Sequence, residues 1–212
     1  ADDILITAGS RPLIYAVFKT IVDEGDKVIY PIPSWNNNHY SYLTSAHTIE
    51  VQTQESNNFL TTAEDLHQHV EGSVLLCLCS PLTSTGTMFT KEQLSAICEL
   101  VLEENKKRGE DEKPLYLMYD QIYAMLTFDE KHFDPVSLFP ELKEYTIYID
   151  GASKCFAATG VRVGWSFGPS LIIDKMKSLL GHVGAWAPKP EQEAVSVLLN
   201  HPEKVDEFVD HF

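Results

Sequence analysis

Short apolar runs alternate with stretches of helical spacing along almost the whole chain. ILIT (4–7) predicts a strand, and residues 11–23 predict a helix closed by Glu24-Gly25-Asp26. KVIYP (27–31) predicts a second strand, residues 35–44 a helix, and HTIEVQ (47–52) a third strand. Thr61-Thr62-Ala63-Glu64 offers a helix start with capping chemistry. SVLLCLCS (73–80) is continuously apolar, as a strand covered on both faces must be. Leu94, Ile97, Cys98 and Val101 mark one face of a helix over 90–105, and a charged loop follows at 106–113. LYLMYD (115–120), YTIYID (145–150) and VRVGWSF (161–167) predict three more strands, and residues 171–180 a further helix. Strands alternating with helices predict a three-layer α/β/α fold around a mostly parallel sheet of about seven strands. Such sheets take their ligands at the carboxyl ends of their strands, so chemistry is expected just after the apolar runs.

Charge narrows the partners. Sixteen basic against 31 acidic side chains leave a net charge of −15, which repels nucleic acid and anionic membrane surfaces. An anionic ligand therefore needs a local positive site. No apolar run approaches the roughly 18 residues of a bilayer span, and ADDILITAGS lacks the features of a signal peptide, so the expected location is the cytoplasm. Cys77 and Cys79 alternate on one strand and share a face, which disfavours a bridge between them. With no second Cys/His pair at ligand spacing, the four cysteines read as buried free thiols and no metal is expected.

Several residues stand at the expected strand ends. Lys154 follows YTIYID among small neighbours, with Arg162 eight residues on in GVRVGW. Asp120 ends LYLMYD, with Tyr123 three residues later; an acid there also suits a plain helix cap. Ala8-Gly9-Ser10-Arg11-Pro12 joins a strand to a helix and aims backbone N–H groups at whatever lies before the helix. Trp35, after Pro31-Ile32-Pro33-Ser34, is by default a partly buried core aromatic.

In this order and spacing, AGSRPLI, EGDKVIYPIPSW, CSPLTSTGTMFTKEQL, YDQIY and GASKCFAATGVRVGW resemble the large domain of fold type I, pyridoxal-phosphate-dependent aminotransferases of class I/II. The resemblance runs from Gly9 to about Pro169. It implies pyridoxal 5′-phosphate as cofactor, amino acids and 2-oxo acids as substrates, and a homodimer. Lys154 would form the Schiff base and then serve as the base for the 1,3-proton shift. Asp120 would bind the pyridine nitrogen, Tyr123 would donate to the ring 3-oxygen, and Trp35 would stack on the ring. Gly9, Ser10, Arg11, Ser153 and Arg162 would hold the phosphate.

The chain departs from the family pattern in two places. Thr83-Ser84-Thr85-Gly86 replaces Asn-Pro-Thr-Gly, so Thr83 offers one hydroxyl where an amide usually meets the ring 3-oxygen. A raised imine pKa relative to Thr83→Asn is expected. Gly151 stands where many relatives place a phosphate-binding serine. The resemblance divides the chain into a large domain, 1–190, and a connection at 191–212 toward a small domain. No arginine matches the one that binds the substrate carboxylate, since Arg11 and Arg162 are assigned to the phosphate and Arg108 lies in the charged loop. An excised or truncated large domain is expected, binding cofactor and transaminating weakly in isolation. A same-fold C–S β-lyase or synthase uses the same Lys154, Asp120 and Tyr123, and a non-catalytic cofactor-binding fragment is a further alternative. Residues 181–194 suit either an approach to a partner's site or a plain connecting loop.

Overall fold

A computed structural model describes residues 3–128 and 130–211. Seven strands form one sheet: β1 (Ile4–Thr7), β2 (Lys27–Ile32), β3 (His47–Gln52), β4 (Ser73–Cys79), β5 (Tyr116–Asp120), β6 (Thr146–Gly151) and β7 (Gly164–Phe167). Their spatial order is β1-β7-β6-β5-β4-β2-β3. The five strands β3, β2, β4, β5 and β6 run parallel, and β7 is antiparallel to both β6 and β1. The expected mostly parallel sheet is therefore present.

Side-chain alternation sorts each strand between two cores. On one face Val28, Tyr30, Leu75, Cys77, Met118, Ile147 and Ile149 pack against α1 (Ser10–Ile21) and Ile172, Ile173 and Met176 of a later helix, 170–183. On the other, Ile29, Leu76, Leu78, Leu117, Tyr119 and Tyr148 meet Leu66, Leu94, Ile97 and Val101. Burial on both faces explains why β4 reads as an unbroken apolar run. α2 (Asn37–Leu43) and α3 (Ala63–His67) follow β2 and β3, and α4 (Lys91–Lys107) follows β4. Thr62 and Thr90 each close a capping box, with Asp65 and Gln93.

The remaining helices are α5 (Pro135–Leu138), α6 (Ala152–Cys155), α7 (Ser170–Val183), α8 (Lys189–Leu199) and α9 (Pro202–Val209). Three expectations need correction. Residues 161–163 are not strand: Arg162 adopts φ 58°, and β7 begins only at Gly164. Residues 181–194 are mostly helical, with α7 ending at Gly184 in the left-handed region and α8 starting on Lys189-Pro190. The charged loop is shorter than expected: α4 runs through Lys107, and Arg108 is the first residue after it. It sits at the end of α4 with its guanidinium buried, paired with Glu104 at 2.8 Å and donating to the Val70 carbonyl. Of the four free cysteines, Cys77, Cys98 and Cys155 are buried while Cys79 is half-buried at the end of β4.

Candidate active site

The carboxyl ends of β4, β5 and β6 and the amino end of α1 converge on one cavity of about 460 Å³. Ser10, Arg11, Trp35, Thr83, Asp120, Tyr123, Ser153, Lys154 and Arg162 all line it, together with Ile14, Ile122 and Thr159. Nine of the ten residues singled out from sequence are thus brought together, and the tenth, Gly9, borders Arg162. Thr159 and the two isoleucines escaped the sequence reading. Thr159 had one usable signal, its place three residues before Arg162 in a glycine-bearing turn.

The floor is acidic and buried. Asp120 ends β5, and its Oδ1 accepts the Ile122 N–H at 3.1 Å. Burial raises its carboxyl to about 7; the Ile122 N–H opposes that rise, the nearby Asp150 adds to it and Lys154 works against it. Asp150, near the end of β6, is raised to about 6, again chiefly by burial. Gly151 N–H and the Gln121 amide donate to its two oxygens at 2.7 and 3.2 Å. A buried acid this easily protonated is suited to a cationic partner, which would return it to the carboxylate form.

The cationic side comes from three segments. Lys154 lies in the single turn α6 and its Nζ stands 5.5 Å from the Tyr123 ring centroid. Arg11, in the first turn of α1, lies over the Trp35 indole at 5.6 Å. Arg162 donates from Nη1 to the Thr159 carbonyl at 2.7 Å and from Nη2 to the Ala8 carbonyl at 2.9 Å. The first turn of α1 carries no acidic side chain, and its N-cap is Gly9, so its free N–H groups and positive dipole end remain available to an anion.

Glycines make this meeting possible. A Cβ on Gly9, whose φ is 90°, would stand 2.8 Å from Arg162 Cζ. One on Gly164 would stand 2.5 Å from Gly9 C and 2.6 Å from Ser10 N. One on Gly151 would stand 2.9 Å from both Gly164 Cα and the Val163 carbonyl. The loop before α1, the β7 entry and the lysine turn are stacked backbone on backbone, which only residues without side chains permit.

This donor set fits an aromatic phosphate that carries an aldehyde and a basic ring nitrogen. There is an amine, a buried acid, an aromatic wall, and an arginine beside an open helix end. A second cavity, about 810 Å³, shares Thr83, Tyr123 and Lys154 and extends past Pro81, Met88, Leu126 and Phe128. Lys154 and Tyr123 therefore line both cavities.

Comparison with known proteins supplies the family. The family model described as aminotransferase class I and II matches residues 1–211. An aspartate aminotransferase of Bacillus subtilis is 33% identical over 188 residues, covering 85% of this chain and 44% of that protein. One from Streptomyces avermitilis is 32% identical over 185 residues, covering 86% and 43% respectively. The aspartate aminotransferase of Thermus thermophilus, solved with maleate, superposes with a TM-score of 0.90 at 27% identity, over 99% of this chain and 52% of that one. An aromatic aminotransferase from Pyrococcus horikoshii gives 0.88 at 25% identity, over 98% and 54%. The chain spans about half the length of the curated relatives it matches.

Proposed function

Since this chain belongs to the class I and II aminotransferases, we propose that it forms the cofactor-binding part of an enzyme that moves an amino group from an amino acid to a 2-oxo acid. The observation that carries this reading is the gathering of Lys154, Asp120, Tyr123, Trp35, Thr83, Ser153 and Arg162 around one cavity at the strand ends. Pyridoxal 5′-phosphate is the cofactor whose functional groups match those side chains. When bound, it supplies an aldehyde for the substrate amine and a protonated ring that takes up the electron pair released at the substrate Cα.

The protein's share of the chemistry follows from the residues. Arg162, Ser153 and the N–H groups of Gly9, Ser10 and Arg11 bind the phosphate, the arginine by charge and the helix end by dipole. Asp120 gives the ring nitrogen an anionic partner, and a cation there holds the acid in its carboxylate form. Tyr123 donates its hydroxyl proton toward the ring oxygen, and Trp35 covers the ring face. Lys154 would hold the cofactor through its Nζ, and its amine, when free, would take the proton from the substrate Cα. The proposal includes a homodimer, in which a second copy would cover exposed apolar side chains such as Tyr42 (85%) and Leu43 (53%).

Two measurements test the reading. The purified chain mixed with pyridoxal 5′-phosphate is expected to gain a visible absorption that borohydride bleaches and that Lys154→Ala lacks. Persistence of the absorption in Lys154→Ala overturns the assignment of the lysine. In the full-length protein, an amino donor with 2-oxoglutarate is expected to yield glutamate. Release of pyruvate from a thioether amino acid instead would make it a lyase.

A further inference from the structure

The proposed machinery leaves Cys79 unused. It ends β4 directly opposite Asp120 in the β4–β5 ladder. Its Sγ lies 3.2 Å from the Pro81 carbonyl and 3.7 Å from Thr83 Oγ1. It also lines a space of about 20 Å³ beside Asp120 and Trp35. Burial pushes the thiol well above its ordinary range, so it keeps its proton. That proton goes to the Pro81 carbonyl, the shorter contact. The sulfur lone pairs are then left facing Thr83, whose hydroxyl has a single proton to give.

We infer that Cys79 is a positioning residue: its sulfur accepts the Thr83 hydroxyl proton and turns the hydroxyl lone pairs toward the cavity between Tyr123 and Lys154. Thr83 then meets a ligand as an acceptor, whereas an amide at this position would meet it as a donor. An acceptor stabilises a protonated neighbour. With pyridoxal 5′-phosphate bound, which rests on the function proposed above, Cys79 therefore raises the pH midpoint of the cofactor's visible absorption.

The first test needs no cofactor. In infrared difference spectra of the chain, the S–H stretch of Cys79 is the band lost in Cys79→Ala. It is expected to shift in Thr83→Val and to stay in place in Thr83→Ser, which restores the donor. A band unmoved in Thr83→Val overturns the inference. The second test titrates the visible absorption of chain loaded with pyridoxal 5′-phosphate. Cys79→Ala is expected to lower its midpoint by about half a pH unit, the scale of one redirected hydrogen bond. Cys79→Ser keeps an acceptor and the parent midpoint, and Cys79→Ala does nothing in a Thr83→Val background. An equal drop with and without Thr83 overturns the inference. If no protein takes up the cofactor, the proposed function falls, and the infrared result still decides the role of Cys79.

Discussion

Arg162 stands where any side chain at Gly9 would have to go. The guanidinium carbon lies 2.8 Å from the position of a Cβ there, and the same arginine donates to Ala8, one residue earlier. Gly9→Ala must displace the arginine and also strains a backbone held at φ 90°. Pyridoxal 5′-phosphate is expected to bind at least about tenfold more weakly to Gly9→Ala, the scale of one lost charge-assisted hydrogen bond. Equilibrium dialysis against the parent checks this.

Arg162→Lys separates charge from shape. Lysine keeps the cation but cannot bridge the Thr159 and Ala8 carbonyls while offering a fork to a phosphate. Cofactor affinity is expected to fall about tenfold or more, while folding stability changes by about 1 kcal/mol. Dialysis and urea unfolding measure the two effects separately.

The buried acids set a pH dependence. An unfolded aspartate titrates near about 4, whereas in the cofactor-free fold Asp120 titrates at about 7 and Asp150 at about 6. Between these values the native state holds protons that the unfolded chain has lost, so these two groups lower stability as pH rises from about 4 to about 7. Asp120→Asn removes its share. At pH 8 without cofactor the variant is expected to be more stable than the parent by a few kcal/mol, with the gap closing toward pH 4. Urea unfolding of both proteins at several pH values gives the slopes.

Arg108 answers to stability and not to the cavity. With Glu104 buried beside it, Arg108→Met leaves a carboxylate uncompensated and is expected to cost about 3 kcal/mol. Replacing both residues by methionine is expected to cost less than that single change. Thermal and urea unfolding of the three proteins form the comparison, and cofactor affinity should be unchanged in all of them.

How much of this was legible before the fold was known depends on the range of the interaction. Strand ends are local: an apolar run stops, and Asp120 or Lys154 follows. The capping boxes at Thr62 and Thr90 are legible for the same reason. Arg162 misled, because VRVGWSF alternates like a strand throughout. Its backbone is left-handed instead, and its guanidinium donates to a carbonyl 154 residues away in sequence. The Asp120–Asp150 relation was equally hidden, since β5 and β6 become neighbours only through the sheet. α8 and α9 carry short, weakly apolar patterns that the glycine and proline around them obscured.

The glycine stack has a bearing on how the protein is made. Residues 9 and 164 touch, and among the described residues β1 pairs with β7 alone. A ribosome must therefore release everything from residue 9 through residue 164 before the two sides of the proposed vitamin pocket can meet. Until then the loop before α1 has no β7 to pack against, so loading is expected to follow that pairing during maturation.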